Sequence, residues 1–302
     1  RVGGMALVGC LMVGEFTGLL CLNFSWTQWI LLLVVAAVGV LDDRHNLRAS
    51  FKAWVSLGVA LTLAFAIAYR IQYEFANFSF LGWVFPGNIW FLGGLLLVLF
   101  WATPHALNLI DGANGLLLGY VLIALVAMGG FASSHIFLVG TLLGLMVLNW
   151  PYSRLFMGDC GALVLGFLVA LKAQSTFTPD RLESVLWVLA YPAVDVAMVI
   201  TIRLMQRRSL GDGDRNHLHH QWKEVLGRHA RWRVPLLWLQ AGLCASGVWL
   251  SGAWVFLPLT GVIGLIGSAI YFVNRTYRQG MSVSETSCVG LATGGNAGST
   301  RE

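Results

Sequence analysis

Four short polar segments interrupt an otherwise apolar chain, and they hold most of the residues whose types could support chemistry. They are Asp42-Asp43-Arg44, Asn108 to Asn114, Phe156 to Asp159, and Arg215 to His220. Carboxylates can accept a proton or bind a hard cation such as Mg²⁺, whereas arginine, lysine and histidine bind phosphate groups. Phosphoryl transfer uses this combination of side chains.

Each acidic segment also has a purely structural explanation. Asp42 and Asp43 end an apolar stretch, where paired carboxylates beside snorkelling cations are common. Asp111-Gly112 and Asn114-Gly115 are typical turn dipeptides. Asp159 falls in the first turn of a predicted helix, where an N-terminal cap is the structural alternative to Mg²⁺ ligation. No single segment therefore establishes a function.

Three histidines, His217, His219 and His220, follow Arg215. No cysteine pair and no H-E-x-x-H motif accompanies them, which argues against an intramembrane zinc protease. The basic surroundings favour a cluster that gives hydrogen bonds and positive charge to a pyrophosphate. Asp195, inside a predicted membrane helix, is a further functional candidate, although it could equally support neighbouring helices through hydrogen bonds.

The composition predicts an all-α, polytopic helical membrane protein. The chain has 302 residues, of which 57% are hydrophobic and 11% are charged, and its mean hydropathy is +0.73. Ten apolar stretches are near the length of about 20 residues that a spanning helix needs. They cover residues 5–22, 26–41, 51–69, 89–103, 115–131, 135–152, 160–176, 184–203, 234–251 and 253–273.

The number of predicted spans between the polar segments indicates where these segments lie. Two spans separate each segment from the next, so all four emerge on one side of the bilayer. Most lysines and arginines fall on that side, while Arg70, Lys172 and Arg181 fall toward the other. The positive-inside rule then predicts that the polar segments lie in the cytoplasm. The net charge of +5 reflects this face and not a nucleic-acid partner.

The remaining regions predict little further chemistry. Residues 1–278 form a single predicted membrane domain, and residues 279–302 a polar, disordered tail. The loop 70–88 is rich in aromatic residues that suit a membrane interface. The loop 203–233 contains apolar residues at near-helical spacing, which predicts a short amphipathic helix on the cytoplasmic leaflet. Five widely spaced cysteines are interpreted as packing residues.

The ordered series of motifs resembles the polyprenyl-phosphate N-acetylhexosamine-1-phosphate transferases, a branch of glycosyltransferase family 4. The similarity covers nearly three quarters of the chain. The matching stretches are Arg1-Val2-Gly3-Gly4, Leu41 to Arg44, Asn108 to Gly112, Phe156 to Asp159, and Asp214-Arg215 followed by His217-Leu218-His219-His220.

The resemblance implies transfer of HexNAc-1-phosphate from UDP-HexNAc to undecaprenyl phosphate in the bilayer, releasing UMP. It implies that Mg²⁺ is required, with Mn²⁺ as an alternative cation. Members carry about one more helix before the Arg-x-Gly-Gly motif, so the resemblance implies eleven membrane helices rather than ten. A homodimer, the identity of the UDP-sugar, and direct attack versus an aspartyl-phosphate intermediate are left open.

Roles carry over to this chain motif by motif. Asp42, Asp43 and Asp159 are the expected catalytic residues, with Asp42 as proton acceptor and with Asp159 and Asp43 as metal ligands. The expected substrate-binding residues are Lys52, Asn108, Asp111, Asn114, Arg215, His217, His219 and His220. Many members have an aspartate where this chain has Asn114, and a small polar residue where it has Ala162. The first departure weakens the case for a metal role of the Asp111 segment.

Two other classes of membrane protein are alternatives to this transferase family. The CDP-alcohol phosphotransferases also use Mg²⁺ at a membrane surface, but their D-G-x-x-A-R motif is absent, because Asp111-Gly112 is followed by Ala113-Asn114-Gly115. A transporter should carry charges partway along several helices. Here Asp195 is nearly alone in such a position, and the other charges cluster at helix ends.

Overall fold

The computed structural model describes residues 2–20, 22–75, 77–80, 83–129, 136–176, 178–179, 183–208, 216–250 and 256–293. Eleven α-helices account for most of this part of the chain. They are α1 (Gly3–Phe16), α2 (Trp26–His45), α3 (Ala49–Ile71), α4 (Ile89–Ile110), α5 (Leu116–Ala127), α6 (Ile136–Asn149), α7 (Gly158–Ser175), α8 (Glu183–Met205), α9 (Leu218–Leu226), α10 (Arg233–Ala245) and α11 (Phe256–Thr293).

The helical architecture confirms the predicted fold class. Each predicted span corresponds to one helix, and α9 is the additional amphipathic helix. Within the described residues, five helices are long and apolar enough to cross a bilayer: α2, α3, α4, α8 and the Leu257–Arg278 part of α11. The shorter apolar helices α1, α5 and α6 do not reach that length, so the number of ten crossings stays a prediction.

Local sequence signals explain where several helices begin. Ser25 caps α2 by accepting the N–H of Gln28 on its hydroxyl oxygen at 3.3 Å, and the Gln28 side chain accepts the N–H of Ser25 in return. This reciprocal arrangement is a capping box. Asn88 caps α4 by accepting the N–H of Phe91 at 2.8 Å. These polar caps satisfy amide groups that would otherwise lack partners at the ends of apolar helices.

Helix α7 lies at the centre of the bundle. Its residues from Cys160 to Leu171 are all buried, and it packs against α1, α2 and α4. At Gly39 of α2 the two backbones approach so closely that an added Cβ atom would overlap the Cα of Cys160. Small residues at such crossings let membrane helices pack backbone to backbone. This contact brings the C-terminal end of α2, which carries Asp42 and Asp43, to the first turn of α7.

The loop 70–88 differs from the sequence prediction, because it contains a β-hairpin. Strand β1 (Asn77–Phe80) pairs antiparallel with β2 (Trp83–Pro86). Phe78 stacks on Phe85 at 5.5 Å and on Phe91 of α4 at 4.9 Å between ring centroids. Cross-strand aromatic pairs stabilise such short strands, and this pairing is not visible in composition alone.

Two further regions differ from their sequence-based descriptions. Helix α9 does form, but it packs on the bundle, with Leu218 and His219 buried and Trp222 edge-on to Phe272 of α11. The predicted position of this helix at the cytoplasmic leaflet stays a prediction. The backbone of α11 continues as a helix through Thr293, past the predicted domain end at residue 278. The domain boundary itself stays a prediction, and residues 294–302 lie outside the described residues.

The crossing of α2 and α7 gives a stability prediction. We expect Gly39→Val to lower the free energy of unfolding by about 1–3 kcal/mol, because the new side chain meets the backbone of α7. The control is Gly58→Val in α3, where an added Cβ atom meets nothing within 4 Å. Thermal unfolding of both variants in detergent measures the difference. Equal losses at the two positions would contradict the close contact.

Candidate functional site

Asp43 joins the end of α2 to the beginning of α7. Its Oδ1 accepts the backbone N–H of Asp159 at 3.1 Å, and its Oδ2 accepts that of Cys160 at 3.3 Å. The N-cap residue of α7, Met157, makes no side-chain cap of its own. Asp43 therefore caps α7 from another helix, where the partial positive charge of the helix N-terminus favours a carboxylate.

Gly158 makes this approach sterically possible. Its φ is +68°, a left-handed conformation that favours glycine, and a Cβ atom there would lie 2.6 Å from Oδ2 of Asp43. A side chain at this position would push the carboxylate away from α7.

Asp42 is the neighbouring carboxylate, and it is almost fully buried. Its Oδ1 accepts the backbone N–H of Leu47 at 2.7 Å, and its Oδ2 accepts a charge-assisted hydrogen bond from Nζ of Lys52. The carboxyl group of Asp159 is in hydrogen-bond contact with that of Asp42. Two carboxyl groups this close cannot both be ionised cheaply, so they share a proton or require a cation.

The end of α4 supplies the third part of the site. The Asn108 side chain donates a hydrogen bond to the carboxyl group of Asp159. Asp111 is the C-cap residue of α4. Burial, together with the negative charges of Asp159 and Asp43, raises the pKa of Asp111 to about 7. Side chains from three helix ends that are distant in sequence thus form one acidic cluster.

A cavity of about 420 Å³ opens beside this cluster. Its wall includes Asn108, Asp111, Asn114, Phe156 and Asp159. A second cavity of about 610 Å³ shares Asn114 with the first and is lined by aromatic and basic side chains, among them Trp150, Tyr152, Arg231, Trp232 and Arg233. An acidic cavity therefore adjoins a cationic, aromatic one.

Asn149 is a wall residue that the sequence analysis missed. Its Oδ1 accepts the backbone N–H of Gly115 at 2.5 Å, and its Nδ2 donates to the carbonyl oxygen of Leu155 at 2.6 Å. It thereby joins the α4–α5 turn to the segment before α7. The signal that could have identified it is a buried amide at the last position of an apolar helix.

The histidine segment is held in place by Asp195 of α8. Asp195 is fully buried, and its Oδ2 lies 2.8 Å from Nδ1 of His217. Its Oδ1 accepts the backbone N–H of Leu218 at 2.6 Å, which caps the first turn of α9. Asp195 therefore has the supporting role that was one of the two alternatives for it.

His219 reaches the wall of the acidic cavity. Its ring stacks on that of His217 with centroids 5.8 Å apart, and the ring of His220 lies tilted against it with centroids 4.2 Å apart. A Cβ atom added to Gly112, which lines the cavity, would overlap Nε2 of His219. Within the described part of the chain, neither ring nitrogen of His219 has a hydrogen-bond partner.

His219 differs electrostatically from the sequence expectation. Burial, reinforced by the nearby His220, His217 and Arg233, lowers its pKa to about 2. The imidazole is therefore neutral near pH 7 and can offer a hydrogen bond but not positive charge. Composition could not predict this, because the shift arises from the buried position of the ring.

The structure thus gathers most of the expected site residues. Asp42, Asp43, Asp159, Asn108, Asp111 and Lys52 form the acidic cluster, and His219 joins it through Gly112. Asn114 lies at the junction of the two cavities and donates to the carbonyl oxygen of Pro151 at 3.3 Å. His217 points one nitrogen at Asp195. Arg215 lies outside the described residues.

The carboxyl groups of the cluster are the candidate ligands for Mg²⁺. In the described ranges, no group of three or more His, Cys, Asp or Glu side chains is arranged to hold a metal ion. Mg²⁺, however, is usually bound by one or two carboxylates together with substrate phosphates. The carboxyl groups of Asp159 and Asp43 meet at the first turn of α7 and fit that pattern, because each Asp43 oxygen that accepts an amide N–H keeps a second lone pair. The contact between Asp159 and Asp42 adds to the fit, since two carboxyl groups this close require a cation or a proton.

The buried imidazole gives a pH prediction. The pKa of His219 is far below the ordinary value of 6.5 in the folded protein, but it returns to that value when the chain unfolds. Above pH 6.5 the ring is neutral in both states. As the pH falls from 6.5 toward 2, only the unfolded chain binds the proton, so the free energy of unfolding decreases. Between pH 7.5 and pH 5 we expect His219 to account for a loss of about 2 kcal/mol, measured by thermal unfolding in detergent. His219→Gln should remove that part of the pH dependence, whereas His45→Gln, at an exposed position, should not. Identical pH profiles for the wild-type protein and His219→Gln would contradict the neutral, buried state.

Comparison with known proteins assigns the family. The chain is 26% identical over 292 residues to the probable undecaprenyl-phosphate N-acetylglucosaminyl 1-phosphate transferase of Bacillus subtilis (strain 168), covering 88% of this chain and 77% of that protein. It is 30% identical over 235 residues to the undecaprenyl-phosphate alpha-N-acetylglucosaminyl 1-phosphate transferase of Escherichia coli (strain K12), covering 70% of this chain and 62% of that protein. A phospho-N-acetylmuramoyl-pentapeptide-transferase of Limosilactobacillus reuteri (strain DSM 20016) is 24% identical over 264 residues, covering 80% of this chain and 77% of that protein.

The model of glycosyl transferase family 4 matches residues 25–176, which include all four clustered aspartates, and the chain therefore belongs to that family.

Proposed function

We propose that this protein transfers HexNAc-1-phosphate, with GlcNAc as the sugar, from UDP-HexNAc to undecaprenyl phosphate. The products are undecaprenyl-diphospho-HexNAc and UMP. The observation that carries the proposal is the meeting of Asp42, Asp43, Asp111 and Asp159 beside one cavity at the ends of apolar helices. A water-soluble nucleotide and a lipid phosphate can meet only at such a membrane boundary.

The reaction balances as a phosphoryl transfer. An oxygen of the lipid phosphate attacks the phosphorus that carries the sugar, and the bond from that phosphorus to the bridging oxygen breaks, so UMP leaves. If the lipid phosphate carries a proton, Asp42 is the proposed acceptor. The two hydrogen bonds to Asp42 from Lys52 and Leu47 hold its carboxylate in position.

Lys52 is proposed to receive the lipid phosphate. It lies in the first turn of α3, at the same helix ends as the acidic cluster, and its side chain is only 21% exposed. An ammonium group there would offset the repulsion between an anionic phosphate and the neighbouring carboxylates. Since α3 is one of the long apolar helices, its surface would lie beside the lipid chain of the acceptor.

Asp159 and Asp43 are proposed to hold a divalent cation, Mg²⁺ or Mn²⁺, which when bound would neutralise charge on the donor diphosphate. Asn108, Asp111 and Asn114 would line the nucleotide. His219 would offer a neutral N–H from the wall of the cavity, and His217, fixed by Asp195, would keep that ring in place. Arg215 and His220 are proposed to bind phosphate or sugar.

The polar helix ends are proposed to face the cytoplasm of a bacterial inner membrane, where UDP-sugars occur. The product would begin a cell-envelope glycan such as O-antigen lipopolysaccharide or a cell-wall polymer. A second donor, UDP-MurNAc-pentapeptide, stays a candidate because of the similarity to the Limosilactobacillus reuteri protein.

A transferase assay tests the proposal. Membranes containing the protein, supplied with Mg²⁺, undecaprenyl phosphate and radiolabelled UDP-GlcNAc, should form a butanol-extractable labelled lipid and release UMP. EDTA should abolish the reaction, and Asp159→Asn should lower kcat by at least about 100-fold, because the carboxylate is expected to act on the transition state. A panel of competing UDP-sugars in the same assay identifies the preferred donor.

The matched control for this assay is Glu74→Gln, which also removes one carboxylate but lies exposed beyond the far end of α3. It should keep wild-type activity. Release of UDP instead of UMP would mean transfer of the sugar alone and would overturn the assignment. Full activity of Asp159→Asn would remove that carboxylate from the mechanism.

A further inference from the structure

A separate cavity of about 370 Å³ lies at the end of the bundle opposite the acidic cluster. Helix α7 carries Asp159 in its first turn and Lys172 in its last. At a rise of 1.5 Å per residue, their Cα atoms are about 20 Å apart along the helix axis. The cavity is bounded by this last turn of α7, the last turn of α3, the end of α5, and the beginnings of α2 and α6.

Two cations from different helices line the cavity. Arg70 lies in the last turn of α3, and Lys172 lies in the last turn of α7. Over the ranges that the structure describes, neither side chain forms an ion pair or a side-chain hydrogen bond. Asn23 and Gln174 add polar side chains to the same wall. A half-buried ammonium group without a carboxylate is costly unless an anion or water accompanies it.

The floor of the cavity is apolar. Leu125, Leu138, Leu168 and Leu171 line it and are almost fully buried, and the half-buried Leu22 and Phe24 add the accessible apolar surface. The cavity therefore combines a cationic rim at the level of the helix ends with a hydrocarbon-like base. A soluble anion would use only the rim, whereas a phospholipid would use both parts.

Snorkelling alone does not account for this arrangement. A lysine near a helix C-terminus is favoured by the helix dipole and usually extends its amine to water or lipid headgroups. Such a residue needs no cavity and no second cation. Here the exposed Arg70 and the half-buried Lys172 come from helices that are distant in sequence and line one cavity, which raises the positive potential at its rim.

We propose that this cavity binds one anionic phospholipid, with its phosphate between Arg70 and Lys172 and one acyl chain against the leucine floor. The positive rim supplies the charge complementarity, and the ends of α3 and α7 place it at headgroup depth. The inference does not rest on the transferase reaction, because the cavity and the acidic cluster occupy opposite ends of α7.

Native mass spectrometry of the purified, delipidated full chain tests the proposal. The probes are dioleoyl phosphatidylglycerol and dioleoyl phosphatidylcholine, which differ in headgroup charge but not in acyl chains. We expect one phosphatidylglycerol to bind saturably and at least about tenfold more tightly than phosphatidylcholine. The double variant Arg70→Gln/Lys172→Gln should lower the affinity for phosphatidylglycerol by about 30-fold, and each single variant by about fivefold.

Two control variants distinguish a loss of charge at the cavity from a loss of the folded structure as the cause of weaker lipid binding. Arg70→Lys/Lys172→Arg keeps both charges and should retain binding. Arg44→Gln/Arg154→Gln removes two cations from the other end of the bundle and should also retain it. Equal binding by the wild-type protein and Arg70→Gln/Lys172→Gln would overturn the proposal, as would equal binding of the two lipids. Equally tight binding of glycerol 3-phosphate would overturn it too, because the site would then select an anion and not a lipid.

Discussion

The hydrogen bonds from the first turn of α7 to the Asp43 carboxylate are the interaction on which the site depends. They satisfy amide groups at the N-terminus of the central helix of the bundle, and they fix the end of α2 against it. Since α4 also packs on α7, its own end is brought to the same place. Three helix ends that are far apart in the sequence thereby place four carboxylates within one cluster.

The four carboxyl groups of the cluster repel one another, and this repulsion favours binding of a proton or a cation. Four carboxyl groups face one lysine, so burial and mutual repulsion keep Asp111 partly protonated near a pH of about 7, the value to which its pKa is raised. A divalent cation bound together with the donor diphosphate would relieve that repulsion, because its positive charge offsets both the carboxylates and the phosphates. At the opposite end of α7 the charges are reversed, and Arg70 and Lys172 border a cavity with an apolar floor. The same central helix therefore presents an acidic site at one end and a cationic one at the other.

One-dimensional patterns in the sequence predict the helices and the meeting of their polar ends. Apolar stretches predicted the helices, and the even number of spans between polar segments predicted that Asp42, Asp111 and Asp159 would meet. Asn149, the β-hairpin and the hydrogen bonds of Asp195 to the histidine segment depend on contacts between distant residues, so no local pattern reveals them. The neutral state of His219 could not be inferred from a basic loop, because burial outweighs the composition of its neighbours.

A cryo-EM structure of the purified protein with Mg²⁺ and UDP-GlcNAc would show directly whether the ends of α2, α4 and α7 form the donor site. We expect the Asp43 carboxylate to accept the amides of Asp159 and Cys160, and the donor diphosphate to lie against Asp159 in the cavity that Asn108 and Asp111 also line. A nucleotide bound elsewhere, or Asp43 and Asp159 opening to opposite sides of the membrane, would contradict this expectation.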